Sequence, residues 1–129
     1  MALELRYTIA LPPVTKKNSQ RIVVNKTTGK RFILPSEKYA NYEEAARWFL
    51  RLVPEKPLTG PLNVKCLFYM PTRRAVDLNN LLEAATDTLV RWGIIEDDNY
   101  RVVASHDGSR VLYDKDHPRT EIIITEAEP

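Results

Sequence analysis

The feature that most constrains the fold is an amphipathic helix pattern with an acidic residue at one end and an acidic cluster just beyond the other. Apolar residues recur at helical spacing over residues 78–92, Asp77 directly precedes them and Gly93 follows them. A helix of this length advances ~21 Å at ~1.5 Å per residue. The chain from Gly93 to Asp98, if extended, can return up to ~20 Å at ~3.3 Å per residue. We therefore expect a chain that doubles back and brings Asp98 beside Asp77.

Carboxylates that meet in this way predict a site for a divalent cation. They raise each other's pKa unless a cation lies between them. Mg²⁺ prefers oxygen ligands, usually takes one or two carboxylates, and completes its shell with water and phosphate. The expected metal ligands are Asp77, Glu83, Asp97 and Asp98. Each has a structural alternative: Asp77 as a helix N-cap, Glu83 as an exposed helix residue, and Asp97 and Asp98 as a solvated turn.

The remaining reactive residues favour activation of water over a side-chain nucleophile. No serine lies in a nucleophile elbow, and no glycine-rich phosphate loop is present. Cys66 is the single cysteine and lies within an apolar strand pattern, which predicts a small core residue. Asp87 lies ~15 Å along the helix from Asp77, too far to share its cation. We expect Asp87 to pair with a basic residue or a backbone amide.

Basic residues crowd the N-terminal third of the chain although the net charge is only +2. Between residues 16 and 38 there are seven lysines and arginines and one acid, Glu37. A basic surface beside an acidic pocket is typical of an enzyme that holds a phosphodiester backbone and cuts it at a metal. Solvated lysines on loops are the alternative. The expected DNA contacts are Lys16, Lys17, Asn18, Arg21, Arg73 and Arg74.

The strand and helix patterns predict one α+β domain over residues 1–129, a mixed β-sheet with two helices packed on it, in the order β-β-β-α-β-α-β-β. Ser36 is the expected N-cap of the first helix, whose apolar face runs from Tyr42 to Val53. No segment approaches the ~20 apolar residues of a membrane span. No signal-peptide pattern is present, and we expect a cytoplasmic protein without a membrane partner.

The sequence resembles the RusA family of Holliday junction resolvases. The resemblance rests on the opening strand that ends in prolines, the polar loop at residues 16–21, the Met70-Pro71 strand end, the helix that begins Asp77-x-x-Asn80-Leu81, and the turn at Asp98. It implies a homodimeric endodeoxyribonuclease that cuts four-way DNA junctions with Mg²⁺ at symmetrically placed acidic sites.

Two residues depart from the family's pattern. The resemblance places the family's first and last catalytic aspartates at Asp77 and Asp98, its second at Asn79, and its catalytic lysine at Glu83. Our hypothesis is that Glu83 supplies the missing carboxylate. The expected catalytic residues are then Asp77, Asn79, Glu83 and Asp98.

The lost lysine needs a substitute for transition-state charge, and Lys16, Lys17 and Arg74 are the candidates. Two other functions stay open. One is a junction-binding module of the same fold with weak or no nuclease activity, which the changes at Asn79 and Glu83 motivate. The other is a small adaptor protein with neither activity.

Overall fold

The computed structural model describes residues 3–16, 21–34 and 37–128, with the side chains of residues 21–23 and 32–34 left undescribed. The predicted fold class is confirmed: five strands form a mixed sheet, two helices accompany it, and a separate two-stranded sheet follows the first strand. The elements are β1 Glu4–Ile9, β2 Arg21–Val24, β3 Arg31–Leu34, α1 Glu37–Ala46, β4 Leu62–Met70, α2 Leu78–Arg91, β5 Val103–Ser105, β6 Arg110–Tyr113 and β7 Arg119–Glu126.

The main sheet is built around β4 and β7, its two longest strands. The order β1-β7-β4 is antiparallel, and the other edge of β4 pairs in parallel with β5 near its start and with β6 near its end. In the sequence, the short strand β6 falls between the two final strands that were predicted, and no strand was predicted there. β2 and β3 form the predicted hairpin, closed by a turn in which Gly29 has a positive φ of 73°.

The core lies between one face of this sheet and the apolar stripe of α2. Side chains of β4 alternate between buried and half-buried, as expected for a strand with one face against the core. Cys66 is fully buried in this strand, and burial raises its pKa to about 12. The predicted core role of this cysteine is therefore confirmed. On α2 the buried apolar residues are Leu81, Leu82, Ala84, Ala85 and Leu89.

The prediction that the first helix continues to Val53 is wrong. α1 ends at Ala46, and Arg47–Phe49 form one 3₁₀ turn. This tighter turn advances ~120° per residue instead of ~100°, so that Leu50 takes the core position. Leu50 is 2% exposed, whereas Leu52 is 84% exposed. The expected N-cap Ser36 lies outside the described residues.

Neither helix of the described chain has the length and apolar character that a membrane crossing needs.

Candidate active site

Asp77 begins α2 and acts as its N-cap. Its backbone is extended, and its Oδ1 accepts a hydrogen bond of 2.8 Å from the amide of Asn79. Both side chains are exposed at this end of the helix. One carboxylate oxygen is thus engaged in capping, while a carboxylate has about four acceptor sites in all. The predicted capping role of Asp77 is confirmed and leaves it able to bind a further group.

The far end of α2 reverses the chain in a Schellman motif. Gly93 has a φ of +78°, and its amide donates to the carbonyl of Val90, while the amide of Ile94 donates to the carbonyl of Leu89. Ile94 and Ile95 follow at once and are fully buried, which fixes the direction in which the chain returns. The acidic turn at residues 96–98 is therefore anchored to the core immediately before it.

Asp97 stabilises the acidic turn through both of its carboxylate oxygens. Oδ1 accepts the amide of Asp98 at 2.7 Å, and Oδ2 accepts the side-chain amide of Asn99 at 3.0 Å. The hydrogen bond from the Asp98 amide is the main cause that lowers the pKa of Asp97. Asp98 behaves in the opposite way: loss of hydration, a hydrogen bond with Asp97 and the negative charge of Asp87 raise its pKa.

Asp87 lies near Asp98 and forms an ion pair with Lys16. The Lys16 Nζ is 2.5 Å from Oδ2 of Asp87, and each side chain is about one quarter exposed. Asp87 was predicted to pair with a basic residue or a backbone amide, and the first of these is confirmed. Glu83 lies one turn before Asp87 on the same face of α2, and its charge also acts on Lys16. Partial burial lowers the pKa of Lys16, but Asp87 and its acidic neighbours raise it overall.

A buried polar network that includes Tyr39 and Glu43 of α1 lies against Lys16. The ring of Tyr39 lies 5.3 Å from the Lys16 Nζ, and the Tyr39 hydroxyl donates to Oε2 of Glu43 at 2.5 Å. Oε1 of Glu43 accepts a hydrogen bond of 2.6 Å from Arg91, near the end of α2. Burial raises the pKa of Tyr39, so its hydroxyl stays protonated and can donate. Sequence reasoning missed this network, although Tyr39 and Glu43 are four residues apart on one helix.

The structure thus joins some of the predicted site residues and separates others. Glu83 and Asp87 share one face of α2, and Lys16, from the loop after β1, pairs with Asp87 there. The charge of Asp87 also acts on Asp98. Asp77 and Asn79 lie at the opposite end of the helix. The sequence predicted that Asp98 lies beside Asp77. In the structure, the charge that raises the pKa of Asp98 from α2 is that of Asp87.

The predicted DNA contacts are only partly described. Lys17 and Asn18 lie outside the described residues, and the side chain of Arg21 is not described. Arg73 and Arg74 are exposed before α2, and the guanidinium of Arg73 lies 4.2 Å from the ring centre of Tyr113. Lys16 is described, and its ammonium forms an ion pair with Asp87; a contact of Lys16 with DNA stays a prediction.

The donor chemistry fits a hard divalent cation. The acids here offer carboxylate oxygens, which Mg²⁺ prefers. Loss of hydration is the main cause that raises the pKa of Asp98, and the negative charge of Asp87 adds to it; a bound cation would offset that charge. Within the described ranges, no three His, Cys, Asp or Glu side chains are gathered closely enough to hold a metal by themselves. Because Mg²⁺ usually takes one or two protein carboxylates, a smaller ligand set is sufficient.

An α+β domain that carries acids on one helix face, with an amine paired to one of them, has the groups that phosphodiester hydrolysis uses. The sequence matches the family described as Endodeoxyribonuclease RusA over residues 10–125 of the 129 in the chain. The chain therefore belongs to the RusA family, and the resemblance seen in the sequence is confirmed. No curated protein matches the chain. Membership places the chain among endodeoxyribonucleases and supports nuclease activity.

Proposed function

We propose that this protein is a Mg²⁺-dependent, structure-selective endodeoxyribonuclease that resolves four-way DNA junctions as a homodimer. The observation that carries the proposal is the match to the RusA family over nearly the whole chain. The charged cluster on α2 and the acidic turn after it support it, because they supply carboxylates and an amine in one region. A symmetric dimer would place one such site on each of two strands of a two-fold junction.

We take the proposed ligands from Asp77, Glu83, Asp97 and Asp98, of which one Mg²⁺ ion would use one or two, and Asn79 can add its amide oxygen. Mg²⁺ bound by such groups would lower the pKa of an attacking water and offset the charge on the leaving oxygen. Asp98 is the strongest candidate, since its carboxylate already experiences the negative charge of Asp87. Asp97 is the weakest, because local donors occupy both of its oxygens.

Lys16 is the proposed substitute for the lysine that the resemblance assigns to the position of Glu83. Its ammonium is held on the face of α2 that carries Glu83 and Asp87. An amine kept charged in this way can stabilise negative charge that develops on the transferred phosphate. Lys17, Asn18, Arg21, Arg73 and Arg74 are the proposed contacts to the DNA backbone.

A junction-binding module without nuclease activity is the second candidate. Asn79 favours it, because an amide in the place of a catalytic aspartate attracts a cation less strongly. Incubation with a synthetic four-way junction, with and without Mg²⁺, separates the two functions. Tight binding without cleavage in Mg²⁺ or Mn²⁺ would identify the module.

We expect Glu83→Gln to bind the junction like the wild type and to lose Mg²⁺-dependent cleavage, because the added amide removes the carboxylate while keeping the shape of the side chain. The matched control is Glu121→Gln, which alters a half-buried glutamate on β7. Gel-based cleavage and fluorescence-anisotropy binding measure the two properties separately. Wild-type cleavage by Glu83→Gln would show that Glu83 does not supply the missing carboxylate.

A further inference from the structure

A second surface, away from the acids, combines exposed aromatic and basic side chains. The segment that follows α1 lines a cleft of about 510 Å³ together with Trp92, the C-cap residue directly after α2. Trp48 is 65% exposed at this cleft, an unusual position for so large an apolar ring. The cleft is lined by Arg47, Trp48, Leu50, Arg51, Val53 and Trp92. Arg47, Trp48, Arg51 and Trp92 are called the Arg–Trp surface below.

In the part of the chain that the structure describes, the two arginines of this surface have no acidic partner. The guanidinium of Arg51 lies 4.7 Å from the ring centre of Trp48, and that of Arg47 lies 5.4 Å from the ring centre of Trp92. Within the described part of the chain neither forms an ion pair, and the cleft lining contains no acid. Arg91 differs, since Glu43 and Glu44 neutralise it.

We propose that the Arg–Trp surface binds a DNA strand with unstacked bases. The inference rests on the proposed function and adds to it a site for single-stranded nucleotides near the branch point. Arginine guanidinium groups bind phosphate oxygens through paired hydrogen bonds, and an exposed indole ring offers a face on which a nucleotide base can stack. Arg51 covers Trp48 from one side, and the large exposed fraction of this ring leaves area for a base.

The position of the surface agrees with this role. Trp92 follows Asp87 by five residues, which is ~7.5 Å along a helix axis and ~140° around it. Stacked nucleotides of one strand are ~3.4 Å apart. A strand that leaves the acidic cluster can therefore reach the surface within a few nucleotides. The positive charge of the surface disfavours a contact between two copies of this chain. Two copies that meet here would bring Arg47 and Arg51 close to their counterparts, and the lining contains no acid to offset the repulsion.

A short fluorescein-labelled oligothymidylate tests the proposal without Mg²⁺ and without cleavage. We expect Trp48→Ala to weaken its binding about tenfold, and Trp48→Phe to retain most of the affinity, because stacking needs only an aromatic face. Arg47→Ala combined with Arg51→Ala should also weaken binding and reduce the salt slope by about 1.4, or ~0.7 for each phosphate contact. Lys115→Ala, which removes one exposed charge after β6, is the control.

Equal binding by the wild type and Trp48→Ala would overturn the proposal. A change of Trp48→Ala from dimer to monomer in sedimentation would overturn it too, because the surface would then be an interface between copies. Junction cleavage by the wild type is measured separately. Loss of oligothymidylate binding in Trp48→Ala supports the proposal even if that cleavage is absent, so the two proposals can fail independently.

Discussion

Lys16 and Asp87 are 71 residues apart in the sequence, and yet their charged atoms lie 2.5 Å apart. The pair is only about one quarter exposed, so that solvent screens it less than a surface ion pair. Sequence spacing predicted that Asp87 pairs with a basic residue or a backbone amide, but it did not identify the partner as Lys16. The choice depends on the loop after β1 packing against α2, a tertiary contact that no local pattern encodes.

At the scale of the single residue, Asp98 provides a test that does not depend on activity. Its pKa is raised, so the folded protein holds this proton more tightly than the unfolded chain does. The ionised carboxylate therefore destabilises the fold progressively as the pH rises above its ordinary pKa of 3.8. We expect Asp98→Asn to raise the melting temperature at neutral pH and to have little effect in acid.

Thermal unfolding in a chelator, at acidic and neutral pH, measures this difference. Added Mg²⁺ should then raise the melting temperature of the wild type and leave that of Asp98→Asn unchanged, since binding to the folded state alone stabilises it. Asp116→Asn, on the exposed loop before β7, is the matched control. Identical melting temperatures for wild type and Asp98→Asn at both values of pH would refute this explanation.

At the scale of the element, α2 positions the charged groups along its length. It begins at the cap Asp77, buries one apolar stripe, and ends in a glycine-dependent reversal that anchors the acidic turn. The sequence predicted its start, its stripe and its end correctly, because caps and helical periodicity are local properties. The end of α1 was predicted less well. Apolar residues continue to Val53 at helical spacing, but of the apolar residues between Ala46 and Val53 only Leu50 is buried in the core.

The dual role of Asp77 can be separated by two substitutions. Asp77→Ala removes the cap and should lower the free energy of unfolding by about 1 kcal/mol. Asp77→Asn keeps an oxygen that can accept the Asn79 amide and should change stability by only a few tenths of a kcal/mol. Chemical denaturation measures both values.

Under the proposed metal role, both substitutions should abolish Mg²⁺-dependent cleavage, because both remove the negative charge. Wild-type cleavage by Asp77→Asn would show that Asp77 serves only as a cap.

At the scale of the whole molecule, the sheet supports two surfaces of different chemistry. The charged cluster of Glu83, Asp87 and Lys16 lies along α2. The Arg–Trp surface lies beyond the C-terminal end of this helix. A net charge of only +2 gives little general attraction to DNA, so local groups must supply it. The fold class could be predicted because strand alternation and helical periodicity run through most of the chain. The assembly of Lys16, Asp87 and Asp98 could not, since it combines three separate segments.

The most direct test of the account is cleavage mapping on a four-way junction whose four strands are labelled one at a time. We expect the wild type in Mg²⁺ to introduce paired nicks in two opposing strands at the branch point and to leave a linear duplex of the same sequence intact. Asp98→Asn should bind the junction without cutting it. No nicks in the junction, or equal cutting of the linear duplex, would contradict the proposal that this protein is a junction-resolving endonuclease.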